Sequence, residues 1–444
     1  MVEYENKFKL GDITLPLFVQ SFLGLLMGNI NVLMLSHLSN KAVGAVGVAN
    51  QIIGMLSVIY SVISMGAVIL ITQNLGAEKP KMAKYFSVMS IKISVCLGFM
   101  FSLILLIFGR FLLKLMNLPD EMIPYATVYI RIVGGMSFLQ AGITIFSAIL
   151  RSYGYVKLPM YVTLLMNIIN VLGNFISLYK PMGMPVLGVT GVAISSVISS
   201  IVGITIIMYK TIRGLNISFT PKSLMEFDWK SIKLLMKVGG PAAGEYISYS
   251  LAQIVVTYII TNLGSDAINT RIYVQNITSF VSVISFSIGQ GTQIIMGYMK
   301  GSGKIGDMHK TCVRSLKIGA IANFTLAVII YAFSGRLIGM YTANSYIIEI
   351  SKTILIVDIF LEIGRAFNHV VGNALRGTGD VRYPVIISVC SMWIICVFLS
   401  LVFGINLNGG LVGIWIASGL DEWLRGILLL KRWHSKKWLK IKLV

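Results

Sequence analysis

Residues 13–36 read ITLPLFVQSFLGLLMGNINVLMLS, a stretch without one charged side chain. Crossing the ~30 Å hydrocarbon core of a bilayer takes about 20 helical residues. A helix also satisfies its own backbone polar groups, which lipid requires. The stretch is too long for the apolar region of a signal peptide, and no small-residue cleavage site follows it. It predicts a first membrane span with Pro16 near its start.

Working outward, eleven further apolar runs of similar length follow, near 44–72, 86–108, 123–150, 159–179, 187–209, 237–262, 268–298, 311–334, 347–374, 383–405 and 410–430. The 444 residues are 56% hydrophobic and 12% charged, with a mean hydropathy of +0.82. A soluble domain carries about 25% charged residues. A formal net charge of +20 would suit a nucleic-acid binder, but the bases are distributed otherwise. With both termini in the cytoplasm, 25 of the 37 Lys and Arg fall in inside segments, seven in outside segments and five within spans. That asymmetry obeys the positive-inside rule and leaves no need for a nucleic-acid partner. Cys96, Cys312, Cys390 and Cys396 lie in apolar runs without CxxC spacing and read as free and buried.

The chain repeats itself. An offset of 225 carries Pro16 onto Pro241, Gly66 onto Gly291, Gly76 onto Gly301, Lys79 onto Lys304 and Pro159 onto Pro384. It also sets Leu150-Arg-Ser-Tyr-Gly154 against Leu375-Arg-Gly-Thr-Gly379, and with a small gap Gly188-Val-Thr-Gly191 falls on Gly410-Leu-Val-Gly413. Six spans per repeat put both halves into the membrane in the same direction, as in transporters built from parallel repeats. The expected architecture is an all-α membrane protein of twelve transmembrane helices in two pseudo-symmetric six-helix lobes. The first lobe takes residues 1–209 and the second 236–430. A polar connector, 210–235, joins them, and a basic cytoplasmic tail, 431–444, follows. Trp433 and Trp438 in that tail read as an interfacial anchor.

Ionisable groups inside a membrane are costly and mark functional cavities. Glu245 falls in span 7. Span 10 carries Asp358, Glu362, Arg365 and His369 at i, i+4, i+7 and i+11, on one helical face. At 1.5 Å per residue, Glu245 lies ~12 Å from the cytoplasmic edge, level with Arg365 and His369, while Asp358 lies near the outer mouth. Three carboxylates against Arg365 form a candidate ion-coupling site, with Glu245 and Asp358 as the candidate sodium pair; the competing reading is a structural Glu362–Arg365 ion pair. The first half offers amides instead: Asn167, Asn170 and Asn174 on one face of span 5, Asn31 in span 1 and Gln140 in span 4. They form a neutral lining for substrate or interhelical hydrogen-bond glue. Gly301-Ser-Gly303-Lys-Ile-Gly306 spells GxGxxG but lacks a preceding strand, and no P-loop, HExxH or GxSxG is present. Nothing points to an enzyme.

Gly44-Ala-Val-Gly-Val-Ala-Asn-Gln51, Leu187-Gly-Val-Thr-Gly-Val-Ala193, Leu375-Arg-Gly-Thr-Gly-Asp-Val-Arg-Tyr-Pro384 and Gly410-Leu-Val-Gly-Ile-Trp-Ile-Ala417 resemble the multidrug and toxic compound extrusion (MATE) family over nearly the whole chain. The resemblance implies export of small organic cations or amphiphiles from the cell by alternating access across the bacterial inner membrane. It also implies drive by sodium or proton entry. No cofactor besides the coupling ion is expected, and the expected partners are the small-molecule substrate and membrane lipid, with no obligate protein partner. Against the family pattern, Asn31 stands where members often carry Asp. The span 7 Glu of the sodium-type branch falls on Tyr249, one turn beyond Glu245, and its span 10 Asp falls on Arg365. The resemblance therefore implies an ion site rearranged around Glu245, Asp358 and Glu362. The alternative is a flippase for lipids or lipid-linked sugars on a related scaffold, which would need a cationic cavity.

Overall fold

The computed structural model describes residues 9–179, 186–216 and 228–443. Among these the chain is helical, with no strand. The long helices are α1 (Leu10–Ser36), α2 (Asn40–Gly76), α3 (Pro80–Leu115), α4 (Ile123–Gly134 and Ser137–Ser152), α5 (Lys157–Leu178) and α6 (Gly188–Gly214). The second set is α7 (Trp229–Thr261), α8 (Ser265–Gly301), α9 (Ile305–Ala332), α10 (Ser345–Gly377), α11 (Arg382–Asn406) and α12 (Gly410–His434). These coincide with the twelve expected spans, with ends displaced by up to eight residues. Eight of them are long and apolar enough to cross a membrane, nine if bent α4 is one span. The other three, α7, α10 and α12, are those that carry Glu245, the Asp358–His369 stripe and the segment Asp421–Arg425.

Local chemistry explains the irregularities. Helix α4 bends by 44° at Gly134–Gly135, where the Gly135 N–H is shared between Ile130 O at 3.1 Å and Arg131 O at 3.2 Å. A π-helical turn widens the ladder there, a common cause of a kink. Helix α7 opens at Asp228, whose carboxylate accepts from Lys230 N, Ser231 Oγ and the Tyr85 hydroxyl. The Ser231 and Tyr85 hydroxyls, then the Lys230 N–H, hold its carboxyl below the usual carboxylate range. With the folded value depressed, this cap is intact at neutral pH and is lost as pH falls through that value.

Contacts group the chain into two units. One holds 1–18, 72–78 and 241–444; the other holds 19–71 and 79–240. The divisions fall two residues after Pro16, within α2, and immediately before Pro241, so α1, α2 and α7 each contribute to both units. The expected connector, 210–235, includes 217–227, which lie outside the described residues, as do 1–8 of the first lobe and Val444 of the tail.

The repeat is visible in atomic contacts as well as in sequence. In one unit a β-carbon on Gly66 would meet Leu235 O at 2.8 Å and Gly239 N at 3.4 Å. In the other, a β-carbon on Gly291 would meet Thr14 Cγ2 at 2.6 Å. Shifting 66 and 14 by 225 gives 291 and 239, so these are one contact made twice. Gly76 packs on Tyr298 O and Gly301 on Gln73 O, again related by 225. At Gly66, Gly76 and Gly301 the neighbour is backbone, which has nowhere to go, and at Gly291 it is the β-branched Thr14 side chain.

The tail departs from the anchor reading. Trp433 and Trp438 are buried, stacked with ring centroids 4.7 Å apart. Trp433 Nε1 donates to His309 Nδ1 at 3.2 Å, and Trp438 Nε1 to Trp433 O at 2.9 Å. Lys300 sits over the Trp438 ring and donates to Leu439 O, and Arg432 pairs with Asp380 at 2.7 Å. The two indoles therefore pin the tail to the end of α8 and the start of α9, buried against protein. Trp433→Ala is expected to cost ~3–5 kcal/mol, the range for truncating a buried large aromatic. Chemical unfolding of the detergent-purified protein measures it.

Candidate functional site

The second half gathers a chain of charges that α10 and α12 hold together. Glu362 forms an ion pair with Arg365, one turn on along α10. Arg365 Nε lies 3.6 Å from Glu422 Oε1 on α12. Glu422 in turn pairs with Arg425 at 3.1 Å, and Arg425 with Asp421 at 2.5 Å. Neutral donors complete the shell. Asn323 Nδ2 of α9 donates to Glu362 Oε2 at 3.1 Å, Asn368 Nδ2 to Glu422 Oε2 at 2.9 Å, and Ser391 Oγ of α11 to Asp421 Oδ1 at 2.5 Å. Three carboxylates face two guanidinium groups, an excess of one negative charge. The Glu362 and Asp421 side chains at the two ends are 0% and 3% exposed, and Arg365, between Glu362 and Glu422, is the most accessible member at 23%. Buried charges persist only when paired and hydrogen-bonded. Here the pairing is incomplete: Arg425 Nε is buried without a hydrogen-bond partner.

The other expected residues fall in separate places. Glu245 pairs with Arg376, the Arg of the Leu-Arg-Gly-Thr-Gly motif, at 2.6 Å, both half-buried. Asp358 is buried and accepts from Trp415 Nε1 at 3.0 Å. His369 Nδ1 lies 3.3 Å from Ser285 Oγ, with its ring against Phe286. Among the described residues no three His, Cys, Asp or Glu side chains group as metal ligands. The sequence tally of three carboxylates against Arg365 passed over Asp421, Glu422 and Arg425 as site members. The signal was present: Asp-Glu-x-x-Arg inside a membrane span puts both acids one turn from the base. Arg376 was equally legible in a repeated motif, but its pairing with Glu245 is set by tertiary structure.

In the first half the amides bond to one another. Asn174 Nδ2 donates to Asn31 Oδ1 at 2.8 Å and to Asn170 Oδ1 at 3.0 Å, and Asn170 Nδ2 to Ser196 Oγ at 2.9 Å. Asn167 Nδ2 caps Leu23 O at 3.0 Å. Asn174 Oδ1 is buried with no partner. Gln140 and Tyr249 are exposed. The 225 shift places Ser137 where Glu362 stands, Gln140 where Arg365 stands and Gln20 where Glu245 stands. The register that brings Gly188 onto Gly410 shifts by 222, and it places Ser199, Ser200 and Gly203 at Asp421, Glu422 and Arg425. Every member of the charge chain has a neutral counterpart.

The MatE family model matches residues 16–176 and again 241–402, two segments whose starts differ by the repeat offset. The uncharacterized transporter YisQ of Bacillus subtilis is 38% identical, with 98% of this chain and 96% of that protein covered. A probable multidrug resistance protein NorM of Thermotoga maritima is 28% identical over 98% of this chain and 94% of its own length. Among solved structures, a MOP superfamily transporter from Pyrococcus furiosus has the same fold, with a TM-score of 0.88 at 18% identity, covering 98% of this chain and 96% of that one.

Proposed function

The chain belongs to the MatE family of membrane transporters, and from that premise we propose that it is a cation-coupled antiporter exporting small organic cations or amphipathic compounds. The observation that carries the reading is the Asp421–Arg425–Glu422–Arg365–Glu362 chain, in which three carboxylates share two guanidinium groups and one negative charge is left in excess. A sodium ion or a proton arriving past Arg365 removes that excess. Either event changes the charge that α10 and α12 must keep buried, so the two occupancy states favour different packings. One unit charge falling through 100 mV supplies ~2.3 kcal/mol. That supports roughly fifty-fold accumulation of substrate. The neutral amide network around Asn174 supplies acceptors and donors for a substrate without fixing its charge. Both termini face the cytoplasm, following the distribution of Lys and Arg.

The test is efflux from proteoliposomes under a sodium gradient and a proton gradient imposed separately, with a panel of fluorescent cations. One gradient is expected to drive accumulation. Transport that ignores both gradients would remove coupling from the proposal. In the same assay Glu245→Gln, which leaves Arg376 without its carboxylate, is expected to slow gradient-driven transport less than changes in the charge chain do.

A further inference from the structure

We infer that the end of α9 and the start of α10 form a binding site for the phosphate of an anionic phospholipid. After α9 the chain makes a six-residue helical turn, Ser334–Gly339, before α10 begins. A cavity of about 560 Å³ opens at this corner, lined by Tyr331, Phe333, Ser334, Gly335, Arg336 and Lys352. Its two cations have no counter-ion: among the described residues neither Arg336 nor Lys352 forms an ion pair. Glu349, one turn before Lys352, is exposed and pairs with neither. Lys352 lies over the turn, where a β-carbon on Gly335 would be in van der Waals contact with its Cε at 3.4 Å.

The apolar half of the ligand has a seat too. Ile321, Phe324, Val328 and Tyr331 follow one another at steps of three, four and three along α9, on one face, and all four are exposed. From Ile321 to Tyr331 the helix rises ~15 Å, about the depth of one leaflet's hydrocarbon. An acyl chain lying along this stripe delivers its headgroup to Arg336 and Lys352. A guanidinium offers paired N–H donors to phosphate oxygens and the ammonium adds a second positive charge. A soluble phosphate monoester shares the headgroup chemistry but leaves the stripe unused, and charge complementarity together with the stripe selects the lipid.

Native mass spectrometry of the purified protein in detergent, titrated with phosphatidylglycerol, tests the site. Arg336→Gln with Lys352→Gln is expected to weaken the first bound lipid at least tenfold. Arg110→Gln with Lys114→Gln, which removes the same charge at the end of α3, is expected to leave it unchanged. Gly335→Phe, which fills the cavity and keeps both charges, should also lose the lipid. Phosphatidylcholine should bind at least tenfold more weakly than phosphatidylglycerol, and millimolar glycerol 3-phosphate should not displace it. Unchanged lipid binding in both cavity variants overturns the site. Equal loss in the α3 control reduces it to bulk charge, and displacement by glycerol 3-phosphate assigns the cavity to a soluble anion; either result overturns the lipid proposal.

Discussion

Arg425→Ala is expected to destabilise the folded protein by ~3–5 kcal/mol, the usual cost of removing one partner from a buried ion pair. Arg425 is 8% exposed and contacts two carboxylates, buried Asp421 and largely buried Glu422. Without it, both acids stay in a low-dielectric region with Arg365 as the remaining cation beside them. The group left behind carries the penalty, so the loss should be largely repaired by removing the uncompensated charge. Asp421→Asn and Glu422→Gln added to Arg425→Met should therefore recover most of the stability. Urea or thermal unfolding in detergent reads all three proteins; an Arg425→Ala protein as stable as its parent would mean that the cluster is hydrated and not buried.

Glu362→Gln is expected to abolish accumulation while leaving substrate exchange. Glu362 is fully buried, held by Arg365 and Asn323. The amide keeps its shape and mimics the carboxyl group with its charge removed. If charge neutralisation at this end of the chain couples ion entry to export, the variant is locked in the neutralised state. It can then equilibrate substrate across the membrane but cannot draw on the gradient, forfeiting the roughly fifty-fold accumulation that 100 mV sustains. Counterflow of labelled against unlabelled substrate separates this outcome from a protein that is merely misfolded. Gradient-driven accumulation equal to the parent's would place the coupling elsewhere, with Asp358 the next residue to replace.

The fold was legible because membrane spans depend on local composition. The run from Ile13, the two prolines and the 225 offset each report on the chain near themselves, and all twelve helices follow from them. The site was legible only along single helices. The Asp358–His369 stripe is one face of α10, which periodicity displays. What the stripe meets is a matter of which helix lies across from it, and periodicity is silent on that: Glu422 and Arg425 come from α12, Asn323 from α9. The same limit explains Glu245, whose depth was inferred from Lys237 and whose partner, Arg376, sits at the far end of another helix. Trp433 and Trp438 misled for a related reason. Aromatic residues among lysines suit a headgroup layer, and only their mutual stacking, with Lys300 over Trp438 and His309 bonded to Trp433, shows them buried in protein.

The division of α1 after Phe18 and of α7 before Pro241 bears on how the molecule is made. The opening turns of α1 seat against residues synthesised more than 270 positions later, since Thr14 lies on Gly291. A ribosome-bound chain that has released only its first six helices therefore holds a segment with no place to dock. Neither half contains a complete unit, so severing the polypeptide at the connector would yield two fragments that each lack segments of their own unit.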